Sequence, residues 1–134
     1  MPHGHEALSQ ALARVGDRWS LLVVSALLDG SRRFNDLQDD VGGIAPNVLS
    51  QRLKHLEREA VIVAHPYSTR PPRYAYELTA SGRELAGAVR VLAGWAGDDR
   101  PAHDQCGTPV EARWYCPTCA SAVSDDELGE LRFV

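Results

Sequence analysis

Residues 42–59, GGIAPNVLSQRLKHLERE, form the stretch from which the fold is best predicted. Pro46 suits the first position of a helix, because an amide there would have no partner within the helix. Leu49, Leu53 and Leu56 then recur three or four residues apart, which places them on one apolar face. The opposite face is polar and has no carboxylate in its first two turns. The pattern predicts an amphipathic helix over about residues 46–58.

Three further helices are predicted before this segment, at residues 6–15, 18–29 and 33–41. The second is apolar nearly all round, which is typical of a buried central helix. Asp17 is expected to cap it at the start, and Gly30 to close it in a left-handed conformation. The short third helix, the GGIA turn and the following amphipathic helix have the order of a helix-turn-helix.

A β hairpin is predicted directly after the amphipathic helix. Two β-rich runs, 61–67 and 74–79, are separated by a proline-rich loop. Arg70 and Arg73 lie in this loop, so the hairpin is expected to form a wing with a basic tip at residues 68–73. A last helix is predicted to end near residue 96, with Thr79 or Ser81 as its cap. Ser81 and Glu84 have the spacing of a capping box.

The net charge of −4 hides an uneven distribution along the chain. Residues 1–97 carry 11 Lys/Arg against 10 Asp/Glu, whereas residues 98–134 carry 3 against 8. Within residues 31–73 there are 7 basic against 5 acidic side chains. Since DNA affinity depends on the charge of the contacting face, a basic face on an acidic chain is compatible with DNA binding.

The chemistry of the second helix and the wing fits contact with duplex DNA. Asn and Gln can pair bidentately with adenine and Arg with guanine, while Ser, Lys and wing arginines can hold phosphates. Each of these side chains alone is also typical of any solvated surface. The ordered combination is far more specific and predicts sequence-specific DNA binding. The predicted contact residues are Asn47, Ser50, Gln51, Arg52, Lys54, Arg70 and Arg73.

Three ordered motifs closely resemble the HxlR-type winged-helix transcription regulators of the MarR-like superfamily. They are VGDRWSLLVVSALLDGSRRFNDL, GGIAPNVLSQRLKHLE and RPPRYAYELTASGREL. The resemblance covers about residues 5–96. It implies a homodimer with the terminal helices at its interface, two recognition helices in successive major grooves, and regulation of nearby genes.

Two departures from the family pattern bear on function and stability. Many relatives carry a cysteine near the N-terminus, some as a redox sensor, but this chain has no cysteine before Cys106. A thiol sensor in the main domain is therefore not expected. Relatives often have serine where this chain has Ala45, directly before the recognition helix. Losing that cap is expected to cost about 1 kcal/mol, partly offset by Pro46.

The composition changes near Gly97, which predicts a main domain at residues 1–97 and an appendage at residues 98–134. The appendage holds His103, Cys106, Cys116 and Cys119, with two residues inside each pair and nine between the pairs. This spacing is typical of a zinc ribbon that encloses a structural Zn²⁺ in a Cys3His site. The segment has too few large apolar side chains for a core of its own, which a metal could offset.

Alternatives to structural zinc stay open. Cys116 and Cys119 could form a CxxC redox site, but that motif normally starts a helix in a βαβ context, which is not predicted here. Unmetallated thiols are a further possibility. A zinc deaminase requires a different spacing around the histidine and the second cysteine pair.

The sequence as a whole predicts a mainly α protein with a small β hairpin, a winged helix-turn-helix with a short zinc-ribbon-like segment. The predicted function is DNA-binding transcription regulation by a homodimer in the cytoplasm, with no membrane partner and no enzymatic activity. A small-molecule effector is possible, and Trp19 is a candidate for lining its pocket. The alternatives are a protein-interaction module that docks through the winged helix and the acidic ribbon, and, less favoured, a thiol redox protein.

Overall fold

The computed structural model describes residues 3–97 and 100–129, with side chains from His5 onward. The chain divides into two compact units, one formed by Ala11–Val89 and the other by the chain ends up to Gln10 and from Arg90. Their boundaries fall within the first and last long helices. The boundary predicted near Gly97 differs from this division.

Six α-helices lie within the described residues. The long helix α4 spans the residues predicted from Pro46 at its first position and from the leucine spacing. The bounds are α1 His3–Val15, α2 Ser20–Leu27, α3 Phe34–Asp40, α4 Pro46–Arg58, α5 Ala80–Arg83 and α6 Ala86–Ala96.

A three-stranded antiparallel sheet completes the winged helix. The predicted hairpin forms from β2 (Ile62–Thr69) and β3 (Pro72–Leu78). A two-residue strand, β1 (Arg32–Arg33), pairs with the other edge of β3, so that the strand order is β1-β3-β2. β1 is not predicted from the sequence, because two arginines have neither the length nor the alternation of a strand.

The hydrophobic core lies in the larger unit and contains the apolar stripe of α4. Leu49, Leu53 and Leu56 are at most 1% exposed. Their partners come from α2, α3, the turn after α3 and the first and last residues of the hairpin. These partners include Val23, Val24, Leu27, Leu37, Val41, Ile44, Val61, Ile62 and Leu78. The core thus fixes α4 against the elements on either side of it.

The caps of the helices around the core follow the predictions in part. The N-cap position of α2 is Trp19, because the helix begins two residues later than predicted, but the side chain of Asp17 still caps its start by accepting hydrogen bonds from the amides of Trp19 and Ser20. Gly30 has a φ of 132°, in the region that favours glycine, but it lies two residues beyond Leu28, the C-cap of α2, so it does not itself close the helix as predicted.

The predicted last helix is two helices, and its predicted capping box is wrong. The Thr79 hydroxyl accepts a hydrogen bond from the Gly82 amide and thereby caps α5. The same hydroxyl lies 2.6 Å from the carbonyl oxygen of Ala60, to which it donates. This contact with the turn after α4 favours Thr79 over Ser81 as the cap of α5. A pattern of neighbouring residues in the sequence cannot predict such a long-range contact.

The tail from Arg100 contains a small hairpin and little burial. Strand β4 (Trp114–Cys116) pairs antiparallel with β5 (Ser121–Val123), followed by a single 3-10 turn at Asp125–Glu127. Trp114 and Tyr115 are 59% and 62% exposed. The hairpin therefore has no hydrophobic core of its own among the described residues, as the composition predicted.

The fold class is the predicted mixed α and β winged helix-turn-helix. In the part of the chain that the structure describes, no helix has both the length and the apolar character needed to cross a bilayer.

Ala45→Ser is expected to stabilise the protein by about 1 kcal/mol. Ala45 is the N-cap of α4, with extended backbone angles and no side-chain hydrogen bond to the helix. A serine hydroxyl there could accept from a free amide of the first turn. Thermal unfolding measures the effect, with the exposed helical substitution Ala88→Ser as the control. An unchanged melting temperature would mean that the first-turn amides gain nothing from a side-chain cap.

Candidate DNA interface

The outer face of α4 presents a row of polar side chains to solvent. Asn47, Gln51 and Lys54 are exposed, and Ser50 is half-buried between them and the core stripe. None of these four takes part in an ion pair within the described residues. Four of the five predicted contact residues of the helix are thus available to a partner, and they can donate to or accept from base edges and phosphates.

Arg52, the fifth predicted contact residue on α4, lies in a different environment. Its guanidinium is 3.5 Å from a carboxylate oxygen of Asp17, and both side chains are about 30% exposed. The same carboxylate accepts hydrogen bonds from the amides of Trp19 and Ser20 and from the Ser20 hydroxyl. Arg52 therefore ties the recognition helix to the start of α2.

A second contact anchors α4 beside the first. The Nε2 atom of His55 lies 2.7 Å from the carbonyl oxygen of Arg14 at the end of α1. Arg14 in turn donates from Nε to the carboxylate of Glu59, at 2.8 Å, just beyond the end of α4. Two flanking positions of α4 are thus held by the α1–α2 corner, which leaves its outer face in a fixed orientation.

Hydrogen bonding controls the ionisation of Asp17. Burial alone would raise its pKa, but the Ser20 hydroxyl, the amides of Trp19 and Ser20, and the charge of Arg52 together hold the pKa below the ordinary value of 3.8. The carboxylate therefore stays charged and keeps both the α2 cap and the Arg52 contact well into the acid range.

Asp17→Ala is expected to lower the free energy of unfolding at pH 7 by about 1–2 kcal/mol through loss of the α2 cap. A carboxyl whose pKa is depressed in the folded state stabilises it above the unfolded pKa, and the effect vanishes as pH falls through the folded pKa. The difference from wild type should therefore shrink below about pH 4. Denaturant unfolding at several pH values measures it, with the exposed Asp29→Ala as the control. A difference that persists unchanged at pH 2 would contradict the assignment.

The wing carries two cations at its tip. Arg70 and Arg73 are both exposed and, within the described residues, form no ion pair. Pro71 in the turn of the wing and Pro72 at the first position of β3 restrict the backbone there. Because no carboxylate among these residues pairs with either arginine, both can neutralise phosphates.

An additional cation next to the wing was missed by the sequence analysis. Arg33 of β1 stacks its guanidinium 4.2 Å from the ring centroid of Tyr67 on β2. Because β1 itself was not predicted, nothing in the sequence pattern placed Arg33 beside the hairpin.

Trp19, the candidate for lining an effector pocket, packs against the core beneath the guanidinium of Arg18.

The four predicted zinc ligands form two local pairs. Cys106 Sγ lies 3.4 Å from Nδ1 of His103, and Cys116 Sγ lies 3.4 Å from the amide nitrogen of Cys119. The hydroxyl and the amide of Thr108 lower the pKa of the Cys106 thiol. Amides at Cys119 and Thr118 do the same for the pKa of Cys116.

The backbone of the two turns suits sulfur ligation. Gly107 and Ala120, which follow Cys106 and Cys119, have φ values of 71° and 53°. Left-handed residues of this kind allow amides to turn toward a sulfur. Yet across residues 3–97 and 100–129 no three His, Cys, Asp or Glu side chains are grouped closely enough to hold a metal ion. Each half has suitable donors, but the four-ligand set is not assembled.

Comparison with known proteins agrees with this geometry. The model of the HxlR-like helix-turn-helix family matches residues 14–104. An HTH-type transcriptional regulator from Mycobacterium bovis, itself uncharacterised, is 34% identical over 128 residues, covering 89% of this chain and 80% of its own length. Residues 1–97 make up less than 89% of the chain, so the aligned region must extend into the tail.

Solved structures give the same result. A protein from Pseudomonas aeruginosa described as a transcription factor has a TM-score of 0.69 and 28% identity, covering 89% of this chain and 86% of its own. A protein from Enterococcus faecalis assigned to the MarR family of transcriptional regulators has a TM-score of 0.61 and 28% identity, covering 69% and 84%. The exposed face of α4, the basic wing and these relatives lead to one conclusion: the chain belongs to the HxlR-like helix-turn-helix family and is a DNA-binding transcription regulator, not an enzyme.

Proposed function

We propose that α4 enters the major groove and that the wing holds the adjacent phosphate backbone. The observation that carries this proposal is the exposed polar face of α4, which has no carboxylate in its first two turns, followed along the chain by a hairpin with two exposed arginines at its tip. Asn47 and Gln51 have the chemistry to read base edges. Ser50, Lys54, Arg70 and Arg73 have the chemistry to hold phosphates.

Arg52 acts in this proposal through the orientation of α4. Its pairing with Asp17 and the contact of His55 with Arg14 hold one side of the helix against the α1–α2 corner. A base contact by Arg52 would require its guanidinium to leave Asp17. We therefore assign it as a positioning residue for the base-reading side chains of the same helix.

We further propose that two copies bind together. Helix α6 exposes Val91, Leu92 and Trp95, the last of them 85% exposed, and α1 exposes Leu8 at 52%. Apolar side chains in such number on terminal helices favour burial against a second copy. A two-fold dimer would place two recognition helices about one turn of DNA apart.

Selection of bound sequences from random duplex DNA by the purified protein tests both proposals. The expected product is an enriched palindrome with half-site centres about 10–10.5 base pairs apart. A single enriched half-site would contradict the dimer alone. Failure to enrich any sequence would contradict base reading by α4.

Zinc in the tail is a separate proposal. We propose that His103, Cys106, Cys116 and Cys119 bind one Zn²⁺, which would draw the two pairs together. Thiolates together with an imidazole are a preferred donor set for zinc. Thiols with a lowered pKa release their protons more readily when the metal binds. With four protein ligands the ion would have no open position for a substrate, so its role would be structural.

Elemental analysis of the purified protein is expected to give about one zinc per chain. Cys116→Ser should lose the metal, whereas Ser121→Ala, at the hairpin position paired with Cys116, should retain it. The melting temperature of the larger unit should be unchanged by Cys116→Ser, because none of the tail residues that the structure describes belongs to its core. Metal-free wild-type protein purified without chelators would contradict the zinc proposal.

A further inference from the structure

A cleft of about 510 Å³ lies between the start of α3 and the wing. Its size falls within the range of ligand pockets in proteins, roughly 300–1,000 Å³. The recognition helix does not line it, so the base-reading role of α4 does not account for it. The side chains around it combine cations with aromatic rings. Those that matter for binding are Arg33, Phe34, Tyr67, Arg73, Tyr74 and Tyr76.

Arg33 and Tyr67 form the recognition element of the cleft. The guanidinium of Arg33 is stacked over the Tyr67 ring, with 4.2 Å between its central carbon and the ring centroid. Stacking holds the planar fork in place while its edge keeps N–H donors for a carboxylate. The Tyr67 and Tyr74 side chains are still 43% and 44% exposed, so ring surface is available to a planar ligand.

The charge of the cleft favours an anion. Two of the residues that line the cleft, Arg33 and Arg73, are cationic, and one, Asp36, carries a carboxylate, which already accepts a hydrogen bond from the Arg33 amide at 3.1 Å. The Tyr76 phenol is protonated at neutral pH, as it would be at its ordinary pKa of 10.0, which burial, Glu57 and Tyr74 raise further, and it can therefore donate a hydrogen bond. Rings and cations at one site match a ligand that is both flat and negatively charged.

We propose that this cleft binds a planar aromatic carboxylate, held by Arg33 and Arg73 and flanked by the tyrosine rings. Arg73 also belongs to the wing, so the ligand would compete with DNA phosphate for the same guanidinium. This second step, release of DNA by the ligand, rests on the proposed function of the wing. The binding step does not.

Calorimetric titration of the full chain with 2-naphthoate, in the absence of DNA, tests the binding step. Saturable binding of one molecule per chain is expected. The neutral isostere 2-naphthamide should bind at least about tenfold more weakly, since it lacks the charge that the guanidinium recognises. Cyclohexanecarboxylate, which has the charge without the aromatic ring, should also bind more weakly.

Variants locate the site. Arg33→Gln and Tyr67→Leu should each weaken 2-naphthoate binding about tenfold or more. Arg32→Gln is the matched control, because this neighbouring arginine is directed at Asp40, 3.5 Å away, and does not line the cleft. It should bind the acid as wild type does. Arg33 is exposed, so its replacement is not expected to affect folding.

The outcomes separate this proposal from the proposed DNA interface. Equal binding of acid and amide, equal loss in Arg32→Gln, or no saturable binding at millimolar concentration would overturn the ligand site. If the acid does not bind and Arg33→Gln weakens DNA affinity, the cleft belongs to the DNA interface instead. If the acid binds but no DNA does, the ligand site stands and the DNA interface fails.

Discussion

Replacing Gly82 by alanine is expected to lower the free energy of unfolding by about 3 kcal/mol. A β-carbon at this buried position would lie 2.1 Å from the carbonyl oxygen of Val61 and 3.2 Å from Cδ2 of Leu78. That oxygen cannot move away freely, because it accepts a hydrogen bond from the amide of Thr79 at 3.0 Å. The clash therefore opens the junction between α5 and the start of the wing.

Gly87→Ala is the matched control for this prediction. Gly87 is a helical, exposed glycine, and nothing lies within 4 Å of a β-carbon built there. Alanine should be neutral or stabilising by up to about 1 kcal/mol, since it is the better helix former. Chemical denaturation of both variants measures the difference. Equal effects of the two substitutions would show that the Val61 carbonyl does not constrain Gly82.

The double variant Arg70→Ala, Arg73→Ala is expected to bind every DNA sequence about 10–100-fold more weakly than wild type near physiological salt. Both guanidiniums are exposed and have no carboxylate partner among the described residues. Each phosphate that a wing arginine neutralises adds about 0.9 to the steepness of log affinity against log salt. Removing both arginines should therefore reduce that slope by about 1.8.

Arg83→Ala combined with Arg90→Ala controls for net charge. This control variant also loses two positive charges, but they lie on α5 and α6 and not on α4 or the wing. Fluorescence anisotropy of labelled duplexes gives the affinities. If the control loses as much affinity as the wing variant, the effect is one of overall charge, and the wing has no particular contact with phosphate.

The fold was predictable where the signal is local. Pro46 and the leucine spacing predicted the extent of α4, and two β-rich runs on either side of a proline-rich loop predicted the hairpin. The strand β1 was not predictable, since Arg32 and Arg33 are extended only because they pair with Tyr76 and Ala75. The cap of α5 likewise depends on a contact between Thr79 and Ala60.

The exposure of the candidate site residues was predictable from the sequence, but the contact that each of them makes was not. Exposure of Asn47, Gln51 and Lys54 follows from the helical period alone. Whether Arg52 faces DNA or a carboxylate depends on where the α1–α2 corner places Asp17, which helical periodicity does not encode. The cleft beside the wing was missed for the same reason, because Arg33 meets Tyr67 only through the sheet.

The central claim is sequence-specific recognition of DNA by α4 and the wing. It is tested most directly by titrating wild-type protein against the selected duplex and a scrambled duplex of equal length at several salt concentrations. We predict at least about 10³-fold tighter binding to the selected duplex, with an affinity that falls steeply as salt rises. Equal affinity for both duplexes, or affinity independent of salt, would contradict the claim.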